Sequence, residues 1–345
     1  MGAVRLISEH LRAPVEISGW GMCVPERVVT NEDLARETGL DTSDEWIVTR
    51  TGIRQRHITD RSQATSDLAV GAATEALACA GLEPADVDLI IVATASPDHI
   101  TPSTNCLVQE RLGARRAHGF DLNAGCTGFL SGLQMAYSYL ATGLGRNVLL
   151  IGAELATRLI NWSIRESAVL FGDGAGAVVL QPSTTRKAWA FSMRDLGHLQ
   201  ELIKIPAGGS RHPTSYETLE KGLHDPIFDG HAVFREAGRA MVERMREVLK
   251  HARLEPQDVD LVVPHQANIR IIQYVANKLG LTTNHDDPLP DRVFVNIDRY
   301  ANTSTASIPI ALCEAVESER LRRGDLVAMC AFGSGLTSGA ALVEW

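Results

Sequence analysis

The feature that most constrains the fold of this chain is an internal repeat. Residues 79–92 read CAGLEPADVDLIIV, and residues 251–264 read HARLEPQDVDLVVP, half a chain length later in 345 residues. Each copy follows a helical pattern, at 66–80 and 232–251, and ends in a β-branched apolar run. Such runs are typical of strands that are buried on both faces. The repeat therefore predicts two similar halves, each built from alternating helices and strands.

Further pairs of segments extend the repeat in the same order. The segments 119–122, 148–152 and 175–180 resemble the segments 293–297, 326–330 and 339–343. An α/β protein is expected, with an N-terminal half at residues 1–185 and a C-terminal half at residues 186–345. Residues 181–230 hold several prolines and glycines between 206 and 226, and they are predicted to be a loop-rich insertion near a site.

Composition excludes several classes of function. The chain is 45% hydrophobic and 22% charged, which is typical of a soluble globular protein, and its formal net charge of −9 argues against bulk binding of nucleic acid. No apolar run reaches transmembrane length and no signal pattern opens the chain, so we expect a cytoplasmic protein without a membrane span. The six cysteines lie far apart, which predicts no zinc site. The segment 285–287 (HDD) is interpreted as a solvated loop, not a metal site.

Cys126 lies in the segment 123–129 (NAGCTGF), between an apolar run at 118–122 and an amphipathic run at 129–140. This pattern predicts a strand, a tight turn and a helix start, with the thiol on the turn. The partial positive charge and unpaired N–H groups of a helix start favour a thiolate, so Cys126 can be a nucleophile near neutral pH. A buried structural cysteine is the alternative.

If the two halves face each other, two further turns converge on Cys126. One carries His265 in the segment 264–268 (PHQAN), and the other carries Asn302 in the segment 302–307 (NTSTAS). The Nε2 of a neutral histidine and the amide of an asparagine can both donate hydrogen bonds to a developing oxyanion. A fourth turn, 332–336 (FGSGL), has small residues whose backbone can approach a substrate closely.

These motifs give the chain a resemblance to the thiolase-fold condensing enzymes, specifically β-ketoacyl-acyl carrier protein synthase III, over nearly the full length. The matching segments are 43–53 (SDEWIVTRTGI), the Cys126 segment, 171–177 (FGDGAGA), 265–270 (HQANIR) and 302–304 (NTS). The resemblance implies a thiolase-like fold, in which duplicated βαβ halves form five layers, α-β-α-β-α. Thiolases proper have a second cysteine where this chain reads FGSG at 332–335, so the Cys-His-Asn type fits.

The same resemblance implies a decarboxylative condensation. Cys126 would take the acyl group of an acyl-CoA, with the oxyanion held by the backbone N–H groups of Cys126 and Ser334. A malonyl thioester would then lose CO₂, and His265 and Asn302 would stabilise the enolate that attacks the acyl-cysteine. The resemblance implies no metal and no organic cofactor.

The resemblance also implies roles in substrate binding. Trp46 and Arg165 would sandwich the CoA adenine, Arg50 would contact phosphate, and Asn268 would line the pantetheine path. Phe171 and Phe234 would line the acyl pocket.

A basic stripe is predicted from helical periodicity alone. At about 100° per residue, Arg235, Arg239, Arg246 and Lys250 fall within a narrow arc of one helix. A basic stripe on an acidic protein suggests an acidic partner such as acyl carrier protein, and we expect Arg270 to join it. A solvated helix face without a partner is the alternative.

Three places depart from the family pattern. Ala301 stands where the family usually has glycine, and the segment 281–290 is longer than usual. Thr101 stands where acetyl-specific relatives often have a bulky phenylalanine that closes the acyl tunnel across a homodimer interface. We therefore expect a homodimer and a primer longer than acetyl. An acyltransferase acting on an oxygen or nitrogen nucleophile, and a silent subunit that binds carrier protein, remain alternatives.

Overall fold

The computed structural model describes residue 7 and residues 9–283 and 288–345. The predicted solvated loop 285–287 and the middle of the segment 281–290 therefore lie outside the described residues. The strands are β1 Arg12–Cys23, β2 Val28–Thr30, β3 Gln55–His57, β4 Leu89–Ala93, β5 His118–Leu122, β6 Val148–Leu155, β7 Asp173–Asp195, β8 Ile203–Lys204, β9 Ile227–Phe228, β10 Leu261–Pro264, β11 Leu326–Gly333 and β12 Thr337–Glu344. The helices are α1 Asn31–Thr38, α2 Asp44–Thr51, α3 Thr65–Ala80, α4 Thr104–Leu112, α5 Gly128–Ala141, α6 Arg165–Ala168, α7 Tyr216–Glu220, α8 Gly230–Ala252, α9 Ile269–Lys278, α10 Ile297–Tyr300 and α11 Ser307–Glu317.

The strands repeat one pairing pattern in the two halves. In the first half β4 is parallel to both β5 and β6, and β7 is antiparallel to β6 and to β1. In the second half β10 is parallel to β11, while β12 is antiparallel to β11 and to β7. A parallel bridge between Val262 and Val293 takes the place of β5. The predicted duplication is thus confirmed, although the segment 293–297 forms a single bridge and not a strand.

Strand β7 connects the halves. Its residues 173–180 pair with β6, and its residues 189–195 pair with β12. The prediction of a loop-rich segment was wrong for residues 181–195, which continue β7 because Ala188, Trp189 and Ala190 are buried in the core. The proposed boundary between residues 185 and 186 falls inside this strand, and it remains a prediction.

Three apolar clusters define five layers. In the middle layer, α5 and α11 pack between the two sheets around residues such as Phe129 and Leu312. Helices α3 and α4 cover the outer face of the first sheet, and α8 and α9 cover the outer face of the second. The predicted α-β-α-β-α arrangement is confirmed. Within the described residues, no helix has the length and apolarity that a membrane span requires.

Candidate active site

A cavity of about 800 Å³ lies where the two halves meet. Its lining includes residues from the first half, such as Cys126 and Phe171, and residues from the second, such as His265, Asn302 and Ser334. Apolar side chains of the segment 203–234 complete the wall, which places the predicted insertion beside the site. The cavity therefore brings together the three turns that the repeat predicted to face each other.

Cys126 lies on the turn between β5 and α5, two residues before the helix begins. The turn requires glycine at Gly125, whose φ is +54°. The Cys126 Sγ lies 3.4 Å from Ser304 Oγ. Burial raises the pKa of the Cys126 thiol to about 11, against a smaller lowering by the Ser304 hydroxyl. Burial therefore acts against the thiolate that the helix start favours, and the role of Cys126 as nucleophile stays a prediction.

His265 follows β10 and is 1% exposed. Its Nδ1 lies 2.6 Å from Ser307 Oγ, which also accepts a hydrogen bond from the Gln266 backbone N–H at 3.4 Å. Since that oxygen accepts from Gln266, its own proton is directed at Nδ1, and the imidazole proton is assigned to Nε2. Burial lowers the pKa of His265 to about 3. The ring is therefore a neutral donor whose buried Nε2 has no partner among the described residues.

Asn302 is held by its backbone and by one end of its side chain. Its backbone N–H donates to the Leu170 carbonyl at 2.9 Å, and its Oδ1 accepts from the Ser304 N–H at 2.8 Å. Because the carbonyl end of the amide is occupied, the NH₂ end is what Asn302 can offer to a substrate. The preceding Ala301 is buried and has a φ of +57°.

Cys126 and Ser334, whose backbone N–H groups are the predicted oxyanion donors, both line the cavity. A Cβ on Gly333 would lie 2.6 Å from the Cys126 nitrogen, and a Cβ on Gly125 would lie 2.9 Å from the Ser334 nitrogen. The two turns thus pack so closely that only glycine is accommodated at both positions. This proximity is what an oxyanion hole built from the two N–H groups would need.

Trp46 lies between two arginine side chains. The guanidinium carbons of Arg50 and Arg165 are each 4.4 Å from the Trp46 ring centroid, and Arg165 also donates to the Asp41 carbonyl at 3.0 Å. Trp46 and Arg50 line the cavity, whereas Arg165 is not part of its described lining. An adenine that stacks between Trp46 and Arg165, as predicted, would have to displace the Arg165 guanidinium.

The other predicted substrate contacts divide into two groups. Asn268, Phe171 and Phe234 line the cavity, and Asn268 also caps α9 and donates to the Arg50 carbonyl at 3.0 Å. Thr101 lies outside the described lining of its own chain's cavity, on the loop after β4. The adjacent Ile100 is 91% exposed.

The basic stripe is exposed along α8. Arg235, Arg239, Arg246 and Lys250 are all exposed, as is Arg270 at the rim of the cavity. Glu236 forms ion pairs with Arg235 at 3.3 Å and with Arg239 at 3.2 Å, which offsets part of the positive charge. Ala237, Met241, Met245 and Val248 of the same helix are buried.

Sequence reasoning missed three polar residues of the site. Ser304 contacts the Cys126 thiol, Ser307 fixes the His265 tautomer, and the buried Glu154 lines the cavity. Both serines lie inside the segment already selected for Asn302. Glu154 had a visible signal as well, because it is an acidic residue in the otherwise apolar run 148–155.

Comparisons with known proteins agree with this geometry. Residues 120–197 match the family model for 3-oxoacyl-[acyl-carrier-protein] synthase III, and residues 249–345 match the model for its C-terminal part. The chain is 49% identical over 330 residues to the β-ketoacyl-[acyl-carrier-protein] synthase III of Roseiflexus castenholzii, covering 95% of this chain and 97% of the relative.

Two solved structures show the same similarity. The 3-oxoacyl-[acyl-carrier-protein] synthase III from Aquifex aeolicus has a TM-score of 0.86 at 43% identity, covering 96% of this chain and all of the other. The priming β-ketosynthase of the R1128 polyketide pathway has a TM-score of 0.84 at 33% identity, covering 99% and 98%. The chain therefore belongs to the β-ketoacyl-[acyl-carrier-protein] synthase III family of condensing enzymes.

Proposed function

We propose that this enzyme transfers an acyl group from an acyl-CoA to Cys126 and condenses it with malonyl-acyl carrier protein to start a fatty acid or a related chain. The observation that carries the proposal is the combination, in one cavity, of a thiol with two uncharged donors. His265 Nε2–H has no protein partner, and the Asn302 amide has its carbonyl end already occupied. Both donors are thus available to an oxyanion.

The chemistry follows from these groups. Cys126 Sγ attacks the thioester carbonyl, the N–H groups of Cys126 and Ser334 hold the oxyanion, and the bond to the CoA sulfur breaks. When the malonyl group loses CO₂, the electron pair of the broken bond becomes an enolate. His265 and Asn302 hold the enolate oxygen while its carbon attacks the acyl-cysteine, and the Cys126 thiolate leaves. A neutral histidine with its proton on Nε2 suits this role because that N–H donates a hydrogen bond directly to the enolate oxygen.

The entrance side supports thioesters with a large polar end. Trp46 and Arg50 lie together at the cavity lining, where an aromatic face and a cation could hold a nucleotide and its phosphates. The exposed stripe of α8, together with Arg270 of α9, is proposed to dock the acidic carrier protein. The apolar inner wall, which includes Phe171 and Phe234, is proposed to hold the acyl chain.

A homodimer is also part of the proposal. Strand β5 is the edge of the first sheet, and its residues are not fully buried. The fully exposed Ile100 lies beside Thr101 on a neighbouring loop. An unpaired edge next to an exposed apolar side chain is suited to pairing with a second copy. In such a dimer Thr101 would reach the partner's acyl tunnel and leave room for a primer longer than acetyl. A cytoplasmic location is proposed because acyl-CoA and carrier protein are its expected substrates.

Product analysis would test the proposal. The enzyme is incubated with acetyl-, butyryl- or octanoyl-CoA and malonyl-acyl carrier protein, and the carrier protein is analysed by mass spectrometry. A β-ketoacyl group on the carrier protein is expected, with His265→Ala still accepting an acyl group but barely condensing. Acyl transfer to a hydroxyl or amine acceptor with no β-ketoacyl product would instead support the acyltransferase alternative.

A further inference from the structure

The buried carboxyl group of Glu154 lies near the nucleophile Cys126, and the hydroxyl group of Ser304 lies close to both. Glu154 of β6 is 1% exposed and lines the cavity. Its Oε1 accepts hydrogen bonds from Thr94 Oγ1 at 3.1 Å, the Ala95 N–H at 2.8 Å and Ser96 Oγ at 2.7 Å. Its Oε2 is buried and has no hydrogen bond of ordinary geometry among the described residues. Buried carboxylate oxygens normally have partners, so this vacant oxygen requires an explanation.

Ser304 joins this carboxyl group to the nucleophile. Its hydroxyl lies 3.4 Å from Cys126 Sγ, and it also faces the Glu154 carboxyl closely enough to stabilise the charged form. The backbone at Ser304 has a φ of +52°, and its N–H is held by Asn302 Oδ1. The turn that carries Ser304 can cross β6 closely because Gly152 has no side chain: a Cβ there would lie 2.8 Å from the Thr305 carbonyl oxygen.

Acylation requires a proton acceptor for the thiol, and His265 is not available as one. The Ser307 hydroxyl occupies Nδ1, and Nε2 carries the proton, so neither ring nitrogen offers a free lone pair. Burial meanwhile keeps the Cys126 thiol protonated by raising its pKa. The hydrogen bond that the structure shows for Sγ is with Ser304.

We propose that Ser304 and Glu154 form a proton relay for Cys126, an inference that rests on the proposed function. As Sγ attacks the thioester, its proton passes to Ser304 Oγ and the Ser304 proton passes to Glu154 Oε2. The carbon–sulfur bond to CoA breaks, and the CoA thiolate takes a proton from water. When condensation expels the Cys126 thiolate, the proton returns along the same path. Ser304 contacts the reacting sulfur, whereas Glu154 acts through Ser304.

The charges around Glu154 suit a group that gains and loses one proton. Burial raises its pKa, while the hydrogen bonds from Ser96, the Ala95 N–H and Thr94, together with the nearby Ser304 hydroxyl, oppose that rise. Cys126 is a titratable neighbour of Glu154, and the carboxylate raises the pKa of its thiol further. Asp173 of β7 lies beside Leu155 in the register, on the other face of the sheet, where Thr59 and Thr157 hold it. A thiolate and a carboxylate so close are disfavoured together, so one proton is shared along the path.

Single-turnover acylation tests the relay. The mass of the acyl-enzyme is followed over time with acetyl- and butyryl-CoA for wild type, Glu154→Gln, Ser304→Ala, Ser304→Gly and the Glu154→Gln/Ser304→Ala double variant. Each single variant is expected to slow acylation about 100-fold, within the usual range for proton transfer. The double variant is expected to be no slower than either, because both changes interrupt one path. Ser304→Gly is included since glycine accommodates the φ of +52° without strain.

Alkylation of Cys126 by iodoacetamide as a function of pH separates the relay from a structural role. Glu154→Gln removes a negative neighbour, so the alkylation curve is expected to move to lower pH although acylation by acyl-CoA becomes slower. The matched control is Thr94→Val, which removes a hydrogen bond to Oε1 and the one that Thr94 Oγ1 accepts from the Ser96 N–H, but leaves Oε2 and Ser304 in place. It is expected to change acylation less than threefold.

Three results would overturn the relay. If both Ser304 variants are acylated at nearly the wild-type rate, Ser304 does not carry the proton between Cys126 and Glu154. If Thr94→Val and Glu154→Gln slow acylation equally, Glu154 only holds the loop 94–96 in place and takes no part in proton transfer. If Glu154→Gln makes both acylation and alkylation faster, the carboxylate only disfavours the Cys126 thiolate by its negative charge and does not accept its proton. If wild-type enzyme is never acylated, the proposed function itself fails, and the relay fails with it.

Discussion

Replacement of Ala301 by glycine is predicted to relieve backbone strain beside the candidate active site. Ala301 has φ +57° and ψ −156°, a conformation that glycine adopts easily and that costs other residues about 1–3 kcal/mol. The residue is fully buried, packs with Ile297 and Val169, and directly precedes Asn302. The methyl group therefore stabilises the core while it strains the turn.

A matched substitution isolates the strain. Ala306 is equally buried but has φ −76° and ψ −14°, which suit any residue. Either change to glycine removes a buried methyl group, worth about 0.8 kcal/mol, and adds freedom to the unfolded chain, worth about 0.5–1 kcal/mol. Only Ala301→Gly also relieves strain. We therefore expect Ala306→Gly to lower the free energy of unfolding by about 2 kcal/mol more than Ala301→Gly does.

Urea unfolding followed by tryptophan fluorescence measures this difference directly. Condensation with malonyl-acyl carrier protein should stay within about threefold of wild type in Ala301→Gly, because Asn302 is held independently by the Leu170 carbonyl and the Ser304 N–H. Equal destabilisation by the two glycine substitutions would refute the reasoning. A large loss of condensation in Ala301→Gly would show that the methyl group positions Asn302.

Three further predictions concern charge and shape. Burial lowers the pKa of His265 from 6.5 to about 3, so below pH 6.5 the unfolded chain binds a proton that the folded chain does not. His265→Gln should therefore lose about 2 kcal/mol less stability than wild type between pH 7 and pH 5, measured by urea unfolding. Arg235→Glu with Arg270→Glu should raise the KM for malonyl-acyl carrier protein several-fold and leave acylation by acyl-CoA nearly unchanged; equal losses in both assays would indicate a structural role. Thr101→Phe should shift kcat/KM from butyryl-CoA toward acetyl-CoA, and a wild type already strict for acetyl-CoA, or monomeric in light scattering, would contradict the proposed tunnel.

Much of the fold could be predicted because the repeat is visible in residue types. The helical patterns at 66–80 and 232–251 correspond to α3 and α8 with shifts of one or two residues at their ends. The segment 293–297 was harder to interpret, since its β-branched residues favour a strand but the chain turns into α10 after a single bridge. Periodicity also could not show that 181–195 continues β7, because that depends on burial against distant strands.

The candidate site was predictable at the level of motifs and not at the level of protonation. The three turns follow from the duplicated halves, which bring Cys126, His265 and Asn302 to one cavity. The protonated thiol and the neutral imidazole result from burial and from Ser307, and both depend on neighbours far away in sequence. The position of Arg165 over Trp46 is likewise a packing result that no motif specifies.

The most direct test of the account is to locate the acyl group on the protein. The enzyme is incubated with butyryl-CoA, digested at low pH to preserve thioesters, and mapped by mass spectrometry, with Cys126→Ser and the exposed Cys106→Ser as a matched pair. One butyryl group per chain on Cys126 is predicted, absent from Cys126→Ser and retained in Cys106→Ser. Normal acylation of Cys126→Ser, or an acyl group on another residue, would contradict the account.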